Sequence, residues 1–313
     1  MGPLPVIDLS HGVDAVARDI DRACRDTGFF FVVGHDVSSV LQQRLDALAR
    51  EFFALPDADK ETIAMAHGGR AWRGWFPVGG ELTSGQPDQK EGIYFGQELP
   101  PDSRPLHGPN LFPARPAGLR DVVLEYIATV TALGHQLLRG IALGLGLTPS
   151  WFDTHLTAEP LVLFRIFHYP PLDGADARWS VGEHTDYGLI TILAQDTSGG
   201  LEVRSHDGWI EAPPIPNAFV VNLGDMLERM TGGVYKSTPH RVHNTSGVDR
   251  LSFPLFLDPA WDASVLPVPV GDATHAAADR WDGASVHDWS GTYGEYVLTK
   301  VGRVFPGLRD EVL

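Results

Sequence analysis

Residues 182–196 read Gly-Glu-His-Thr-Asp-Tyr-Gly-Leu-Ile-Thr-Ile-Leu-Ala-Gln-Asp, and they hold the one His-x-Asp tripeptide of the chain, His184-Thr185-Asp186. In an extended segment, residues two apart project from the same face, so both side chains can reach a single metal ion. The tripeptide alone is weak support, because His-x-Asp also arises by chance. The apolar and β-branched residues that follow predict a buried strand and give the motif its structural context.

A third ligand to the same ion is expected from a later segment. His240 stands in Ser-Thr-Pro-His-Arg-Val, residues 237–242, at the start of a β-branched run. Two imidazoles and one carboxylate on one side of an ion leave other positions open for exchangeable ligands, an arrangement typical of non-haem iron oxygenases. The sequence therefore predicts an iron site formed by His184, Asp186 and His240.

Arg250-Leu251-Ser252 repeats the same-face spacing ahead of the apolar run 253–257. A guanidinium and a hydroxyl that project together from one strand can hold a carboxylate through a two-pronged, charge-assisted contact. A surface salt bridge is the alternative for a lone arginine. The strongly apolar strand favours an interior position for Arg250, and so predicts an anion site.

The composition narrows the class of protein. The chain has 313 residues, is 43% hydrophobic and 20% charged, and carries a formal net charge of -16. It can bury a sizeable core, and its acidic balance disfavours nucleic acid and anionic membrane as partners. Cys24 is the single cysteine, so neither an internal disulfide nor a thiolate zinc site can form.

The ends and the hydropathy pattern add an expectation about location. The first residues lack the basic start and apolar stretch of a signal peptide, and no window approaches the 18 or so apolar residues of a membrane span. We therefore expect a globular, cytoplasmic protein without a membrane or nucleic-acid partner. The sequence indicates no oligomeric state.

The chain changes character at Pro160. Before it, apolar spacing predicts helices near 13–23 and 40–53 and a long helix between Pro116 and Pro149. After it, short apolar runs separated by turns predict strands at 161–169, 189–194, 201–203, 209–211, 219–223 and 251–257. Such spacing favours a sandwich or barrel joined to the N-terminal helices in one α+β unit.

Residues 66–116 are rich in glycine and proline, with aromatic residues interspersed. A structureless stretch of this length is usually functional or a linker, and aromatic residues argue against a linker. We expect loops that fold over a site, although ordinary packing explains the aromatic residues equally well. Four residues are candidates for contact with a substrate: Arg73, Trp75, Tyr94 and Phe256.

Taken in order, several segments resemble the isopenicillin N synthase-like family of iron(II)/2-oxoglutarate-dependent dioxygenases, and the resemblance covers nearly the whole chain. The matching segments are Leu-Pro-Val-Ile-Asp-Leu-Ser (4–10), Thr-Gly-Phe-Phe-Phe-Val-Val-Gly-His (27–35), Arg-Ile-Phe-His-Tyr-Pro-Pro (165–171), 182–196, Gly-Gly-Leu-Glu-Val (199–203), and the run from Asn-Leu-Gly-Asp to Pro-His-Arg-Val (222–242).

The resemblance implies an α+β fold: a distorted double-stranded β-helix (jelly roll) core with flanking N-terminal and long central helices. It implies an N-terminal dioxygenase region with substrate-covering loops at 1–120, the oxygenase core at 155–265, and a C-terminal extension packing on the core at 266–313. These boundaries are expectations.

The resemblance also implies a chemistry. His184, Asp186 and His240 are expected to bind Fe(II), while Arg250, Ser252 and Tyr169 hold the co-substrate 2-oxoglutarate. The distal carboxylate of 2-oxoglutarate would lie on the arginine, and its carboxylate and keto oxygen on the metal. With O2, the enzyme would decarboxylate 2-oxoglutarate to succinate and oxidise, most simply hydroxylate, a small-molecule metabolite.

One residue departs from the family pattern, and two other functions stay open. Family members often have Asn two residues before the strand tyrosine, where this chain has Phe167. We therefore expect a pocket that is either more apolar there or shifted. An iron-dependent oxidase of the same family that does not use 2-oxoglutarate would need the same residues, and a non-catalytic binding module would need only the fold. Asp225, in a Gly-Asp turn, is expected to accept hydrogen bonds from the backbone.

Overall fold

The computed structural model describes residues 3–171, 179–205, 207–269 and 289–306. Within these ranges the chain forms twelve β-strands in two sheets, with helices packed around them. The strands are β1 (Val6–Asp8), β2 (Phe29–Val33), β3 (Gly74–Phe76), β4 (Glu91–Gly96), β5 (Leu161–Tyr169), β6 (Val181–His184), β7 (Ile190–Gln195), β8 (Leu201–Ser205), β9 (Gly208–Glu211), β10 (Phe219–Leu223), β11 (His240–Val242) and β12 (Arg250–Asp258). The helices are α1 (Ala17–Asp26), α2 (Ser39–Phe53), α3 (Asp57–Lys60), α4 (Leu119–Gly144), α5 (Trp151–His155), α6 (Asp225–Met230) and α7 (Tyr293–Val304).

The larger sheet has the strand order β1-β2-β10-β7-β12-β5-β4-β3, and the smaller sheet has the order β6-β11-β8-β9. Side chains from both sheets meet in one apolar cluster, which includes Phe31 and Val220 from the larger sheet and Val203 and Val242 from the smaller. Alternate residues of each strand face this interior, so the smaller sheet can present polar side chains to a space between the sheets.

Helix α4 covers the outer face of the larger sheet. Its apolar residues recur every three or four positions and are buried, as the sequence pattern predicts. At Gly134 the helix comes very close to the sheet, since a Cβ there would lie 2.7 Å from Cδ2 of Leu257 and 3.3 Å from Cδ1 of Ile192. A larger residue at this position would push the helix away from the strands that carry the site.

The predicted elements of the core agree closely with the structure. Strands β5 and β10 have the predicted bounds, and helix α2 begins one residue before the predicted start at 40. Because strands from the N-terminal half and from the core share the larger sheet, the two halves form one α+β unit. The three region boundaries at 120, 155 and 266 stay a prediction.

The expectation that 66–116 consists of loops is wrong in part. Strands β3 and β4 lie in this stretch and extend the larger sheet beyond β5. The glycines of β4 favour a loop when only the sequence is considered. In the structure, a Cβ at Gly92 would lie 2.8 Å from the Phe167 side chain and 2.9 Å from that of Phe76, so only glycine fits there. Close packing, and not flexibility, explains that glycine.

Helix α7 lies in the predicted C-terminal extension. Thr292 caps its first turn, accepting a hydrogen bond from the backbone of Glu295, whose side chain accepts one from the backbone of Thr292 in return. Residues 270–288 and 307–313 of the predicted extension lie outside the described residues. None of the described helices is long and apolar enough to cross a bilayer.

Candidate active site

The two histidines and the aspartate predicted from the sequence come together at one end of the smaller sheet. His240, the first residue of β11, lies directly opposite His184, the last residue of β6, in the antiparallel pair. Asp186 follows β6, and its Oδ1 lies 3.8 Å from Nε2 of His240. One donor atom from each of the three side chains lies within 4.8 Å of the other two. This spacing allows all three donor atoms to bind one metal ion, because metal–ligand bonds are about 2 Å long.

Both imidazoles are oriented through their Nδ1 atoms. Nδ1 of His184 lies 2.8 Å from the carbonyl oxygen of Gly182, and Nδ1 of His240 lies 3.3 Å from that of Thr238. A protonated Nδ1 leaves Nε2 as an unprotonated donor toward the other ligands. Burial lowers the pKa of both histidines, which favours the neutral form that binds metal.

The carboxylate of Asp186 is held from behind. Its Oδ2 accepts hydrogen bonds from the hydroxyl of Thr191 (2.5 Å) and the amide of Asn222 (2.6 Å), which leaves Oδ1 toward His240. Burial alone would raise the pKa of Asp186, but the two histidines and these hydrogen bonds outweigh burial and lower it. Thr191 and Asn222 were not predicted from the sequence, although each is the polar residue of an otherwise apolar stretch, 189–194 and 219–223.

A second polar site lies on the neighbouring strands of the larger sheet. Arg250 is directly opposite Tyr169 in the β12–β5 pair, and its guanidinium carbon lies 4.6 Å from the centroid of the Tyr169 ring. The hydroxyls of Tyr169 and Ser252 are 3.3 Å apart. The arginine is 1% exposed, and while Nε donates to the carbonyl of Gly199, Nη1 and Nη2 have no hydrogen-bond partner among the described residues.

These two free nitrogens fit a carboxylate. A buried guanidinium with unsatisfied donors is costly, and a carboxylate would satisfy both donors in parallel geometry. Arg250, Ser252 and Tyr169 line the same cavity as the histidines and Asp186. The donor set and the orphaned guanidinium therefore fit Fe(II) and a dicarboxylate such as 2-oxoglutarate.

The cavity extends from the histidines to an outer wall that comes from distant parts of the chain. Its empty space is about 1090 Å³, a volume that includes open solvent at the mouth. The outer wall comes from the segment between β3 and the end of β4, from strands β5 and β12, and from helix α7 with the residue that follows it. Its residues are Glu81, Thr83, Lys90, Tyr94, Arg165, Phe167, Phe256, Asp258, Val297, Val301, Val304 and Phe305.

Of the four residues predicted to contact substrate, Tyr94 and Phe256 line this cavity, whereas Arg73 and Trp75 do not. Arg73 is buried in the loops and donates to the carbonyl of Leu106 at 2.8 Å. The indole of Trp75 donates to Glu91 at 2.8 Å. Both residues therefore make contacts within the segment that carries Tyr94, and their contact with substrate stays a prediction.

Phe167 occupies the position where family members often have Asn, and its ring faces an unexpected neighbour. Nζ of Lys90 lies 4.8 Å from the centroid of the Phe167 ring. The rings of Tyr94 and Tyr169 each lie 6.3 Å from it, in edge-to-face arrangements. Phe167 therefore contributes an apolar side chain at this point, and a buried ammonium covers its ring.

Lys90, which lies in the outer wall, forms salt bridges with two carboxylates. Its Nζ lies 2.5 Å from Asp88 and 3.0 Å from Glu81. Burial alone would lower the pKa of Lys90, but the two carboxylates outweigh it and raise the pKa, so the ammonium stays charged. The Tyr94 hydroxyl donates to Glu81. This cluster was not predicted from the sequence, because its members lie in a glycine-rich stretch without periodic spacing.

Helix α7 is connected to the core by hydrogen bonds from its tyrosine hydroxyls to two buried carboxylates. The hydroxyl of Tyr293 donates to Asp258 at the end of β12 (2.5 Å), and that of Tyr296 donates to Asp225 (2.8 Å). Asp225 also accepts from the hydroxyl of Ser237. The expectation that Asp225 serves backbone donors is therefore incomplete, because its side chain binds groups from other elements. Burial raises the pKa of Asp258 to about 7.

Comparison with known proteins identifies the family. A family model described as "2OG-Fe(II) oxygenase superfamily" matches residues 160–259, and one described as "non-haem dioxygenase in morphine synthesis N-terminal" matches residues 4–115. The chain belongs to the 2-oxoglutarate/iron(II) oxygenase superfamily. It is thus an oxidoreductase with Fe(II) and 2-oxoglutarate as cofactors, and the predicted family and double-stranded β-helix fold are confirmed.

Three relatives show how far the likeness extends. A probable iron/ascorbate oxidoreductase of Dictyostelium discoideum is 44% identical, over 99% of this oxygenase and 97% of the relative. A homoarginine-6-hydroxylase of Arabidopsis thaliana is 35% identical, over 95% and 96%. The crystal structure of a full-length Neurospora crassa protein in complex with alpha-KG and thymine superposes with a TM-score of 0.80 at 27% identity, covering 96% of each chain.

Proposed function

We propose that this oxygenase hydroxylates a small-molecule metabolite, with Fe(II) bound by His184, Asp186 and His240 and 2-oxoglutarate bound by Arg250, Ser252 and Tyr169. The observation that carries the assignment is the shared cavity: three converging metal donors and a buried guanidinium with two unsatisfied nitrogens line one space. A single dicarboxylate can bridge such a pair of sites.

When bound, the iron and 2-oxoglutarate supply the oxidising chemistry that amino-acid side chains lack. The protein's own groups bind and orient. Thr191 and Asn222 fix the carboxylate of Asp186, and the carbonyls of Gly182 and Thr238 fix the two imidazole rings. Such outer hydrogen bonds hold ligands in one geometry and so strengthen metal binding.

Arg250 would hold the distal carboxylate of the co-substrate, with the Ser252 and Tyr169 hydroxyls beside it. The face of the Tyr169 ring already lies against the guanidinium, so the arginine keeps its orientation before an anion binds. The apolar side chains of the outer wall exclude water from the reacting end, which protects the reaction from side products.

A small-molecule substrate fits the cavity, and the relatives named above include one whose name specifies an amino acid, homoarginine. We also propose a cytoplasmic location, which the single cysteine supports, and no nucleic-acid partner, which the net charge of -16 supports.

The test is oxygen-dependent turnover of 2-oxoglutarate by the Fe(II)-loaded protein. We expect succinate to form only when iron, 2-oxoglutarate and O2 are all present, and candidate metabolites to increase its rate. Oxygen consumption without succinate would favour an oxidase that does not use 2-oxoglutarate. Neither oxygen consumption nor succinate, with any metabolite, would favour a binding module.

A further inference from the structure

The outer wall of the cavity contains two charged groups of opposite sign that the iron and 2-oxoglutarate sites do not use. One is Arg165 on β5, and the other is Glu81 together with its neighbours. Both are buried, Arg165 at 5% exposure and Glu81 at 6%. Buried charges are costly without partners, so their presence in a binding cavity calls for a physical reason.

Arg165 forms no salt bridge with a carboxylate in the part of the chain that the structure describes, although its charge is close enough to the buried Asp258 to oppose the rise in that carboxyl's pKa. Its Nη1 donates to the carbonyls of Phe95 and Phe164, at 3.2 and 3.3 Å, while Nε and Nη2 have no acceptor there. The guanidinium carbon lies 3.4 Å from the centroid of the Tyr94 ring. The guanidinium is therefore stacked on an aromatic face and keeps two donors for an anion.

Glu81 belongs to a cluster with an excess of negative charge. Two carboxylates, Glu81 and Asp88, share the single ammonium of Lys90, so the three groups carry one net negative charge when ionised. Among the described residues, Glu81 and Asp88 have no second cation as a partner. Glu81 and Lys90 line the cavity, so a ligand that enters it can contact this cluster.

Tyr94 holds the two charged groups next to each other. Its ring face lies against Arg165, and its hydroxyl donates to Glu81. Burial and the nearby Glu81 raise the pKa of Tyr94 well above its usual value, so the hydroxyl remains a donor. One rigid side chain therefore sets the spacing between a cation and an anion on a single wall.

We propose that this wall is the binding site for the zwitterionic head of a free α-amino acid. Arg165 binds the substrate's carboxylate, Glu81 binds its ammonium, and Lys90 and Tyr94 hold Glu81 in its orientation. The rest of the substrate fills the space bounded by Phe167, Phe256 and the apolar side chains of α7. The inference rests on the proposed function, because it assumes that the same cavity binds substrate.

The first test uses wild-type protein and needs no variant. Fe(II)-loaded protein with 2-oxoglutarate is titrated calorimetrically without oxygen, using the twenty standard L-amino acids and L-homoarginine. For each amino acid that binds, its carboxamide removes the carboxylate and its Nα-acetyl derivative removes the ammonium. We expect at least one amino acid to bind, and each derivative to bind about tenfold to a hundredfold more weakly.

The second test assigns each charge to its residue. Arg165→Gln is expected to weaken the amino acid about tenfold or more and to leave the affinity for the carboxamide unchanged. Glu81→Gln is expected to weaken the amino acid similarly and to leave the Nα-acetyl derivative unchanged. Arg22→Gln and Glu51→Gln, at exposed positions, are matched controls that should alter neither affinity.

The results separate this inference from the function on which it rests. If 2-oxoglutarate gives no visible absorption band with the iron-loaded protein, the proposed function fails. If the band forms but no amino acid binds, or carboxylic acids that lack an amine bind equally well, the amino-acid site is wrong. Equal loss of the amino acid and both derivatives in the Arg165→Gln and Glu81→Gln proteins would also overturn it, since that pattern reports a structural defect.

Discussion

The two ends of the cavity are built differently. The inner end, with the metal donors and Arg250, comes from two pairs of adjacent strands, β6 with β11 in the smaller sheet and β12 with β5 in the larger sheet. The outer end also includes residues of β5 and β12, but the rest of it comes from the stretch that leads into β4 and from helix α7, whose positions depend on a few buried contacts. Sites on core strands are held more tightly than sites on loops, which are where specificity usually varies. We therefore expect changes at the inner end to affect every substrate, and changes at the outer end to affect the choice of substrate.

Removing a metal donor should have the largest effect. We expect His184→Ala or His240→Ala to abolish succinate formation, and Asp186→Ala to do the same with partial recovery in added formate. Two remaining donors cannot hold the ion in the geometry that the reaction requires. The measurement is succinate formation together with iron bound per chain, with His67→Ala, at an exposed position, as the control. Full activity in any of the three alanine variants would remove that residue from the site.

Replacing the anchor of the co-substrate should have the next largest effect. Arg250→Lys keeps the charge but loses the two-pronged geometry, so 2-oxoglutarate affinity should fall about tenfold to a hundredfold. Iron affinity should stay the same, because the lysine is not a ligand. Titrations of iron and of 2-oxoglutarate measure the two effects separately. Unchanged 2-oxoglutarate affinity would show that Arg250 serves another anion.

The groups behind Asp186 test whether the inner end is as rigid as the strands suggest. Thr191→Val removes the hydroxyl that donates to the carboxylate while keeping a similar shape. Iron affinity should fall about tenfold, as is usual when an outer hydrogen bond to a ligand is lost. Competition with a chelator measures this change. An unaltered iron affinity would mean that Asn222 alone is sufficient to orient Asp186.

Asp258 connects β12 to helix α7 through the hydroxyl of Tyr293. Its titration should be visible in how the free energy of unfolding depends on pH. An unfolded aspartate has a pKa near 4, whereas burial raises that of Asp258 to about 7. Between these values the folded protein holds a proton that the unfolded chain has released. The free energy of unfolding should therefore fall as pH rises from about 4 to about 7, by up to about 1.4 kcal/mol per unit.

Asp258→Asn should remove this contribution and flatten the pH dependence. The comparison is urea unfolding of metal-free wild-type and variant proteins between pH 5 and 8, because a bound cation would itself favour the carboxylate. As pH rises, the free energy of unfolding of the variant should increase relative to that of the wild type. Parallel curves for the two proteins would show that Asp258 is already ionised in the folded state at pH 5.

The same contrast explains what the sequence alone could predict. Strand periodicity puts His184 and Asp186 on one face without any knowledge of the fold, and the apolar run around Arg250 indicates an interior. The outer wall has no such local pattern. Val297, Val301 and Val304 mark one face of a helix, but nothing in their spacing says that this face covers a cavity.

Two residues of the outer wall did carry a usable signal. Arg165 is the one charged residue in the apolar part of β5, residues 161–167, and Asp258 ends another largely apolar strand, β12. A lone charge in such a strand must be satisfied inside the protein, so it marks a buried contact or a binding site. The pairing of Glu81 with Lys90 could not be predicted, because loops bring the two together.

The most direct test of the central claim is an anaerobic titration of the iron(II)-loaded protein with 2-oxoglutarate, followed by visible absorption. We expect a charge-transfer band that saturates at one 2-oxoglutarate per chain, is missing in His240→Ala, and needs about tenfold to a hundredfold more 2-oxoglutarate in Arg250→Lys. A wild-type protein that binds iron but gives no band at saturating 2-oxoglutarate would contradict it.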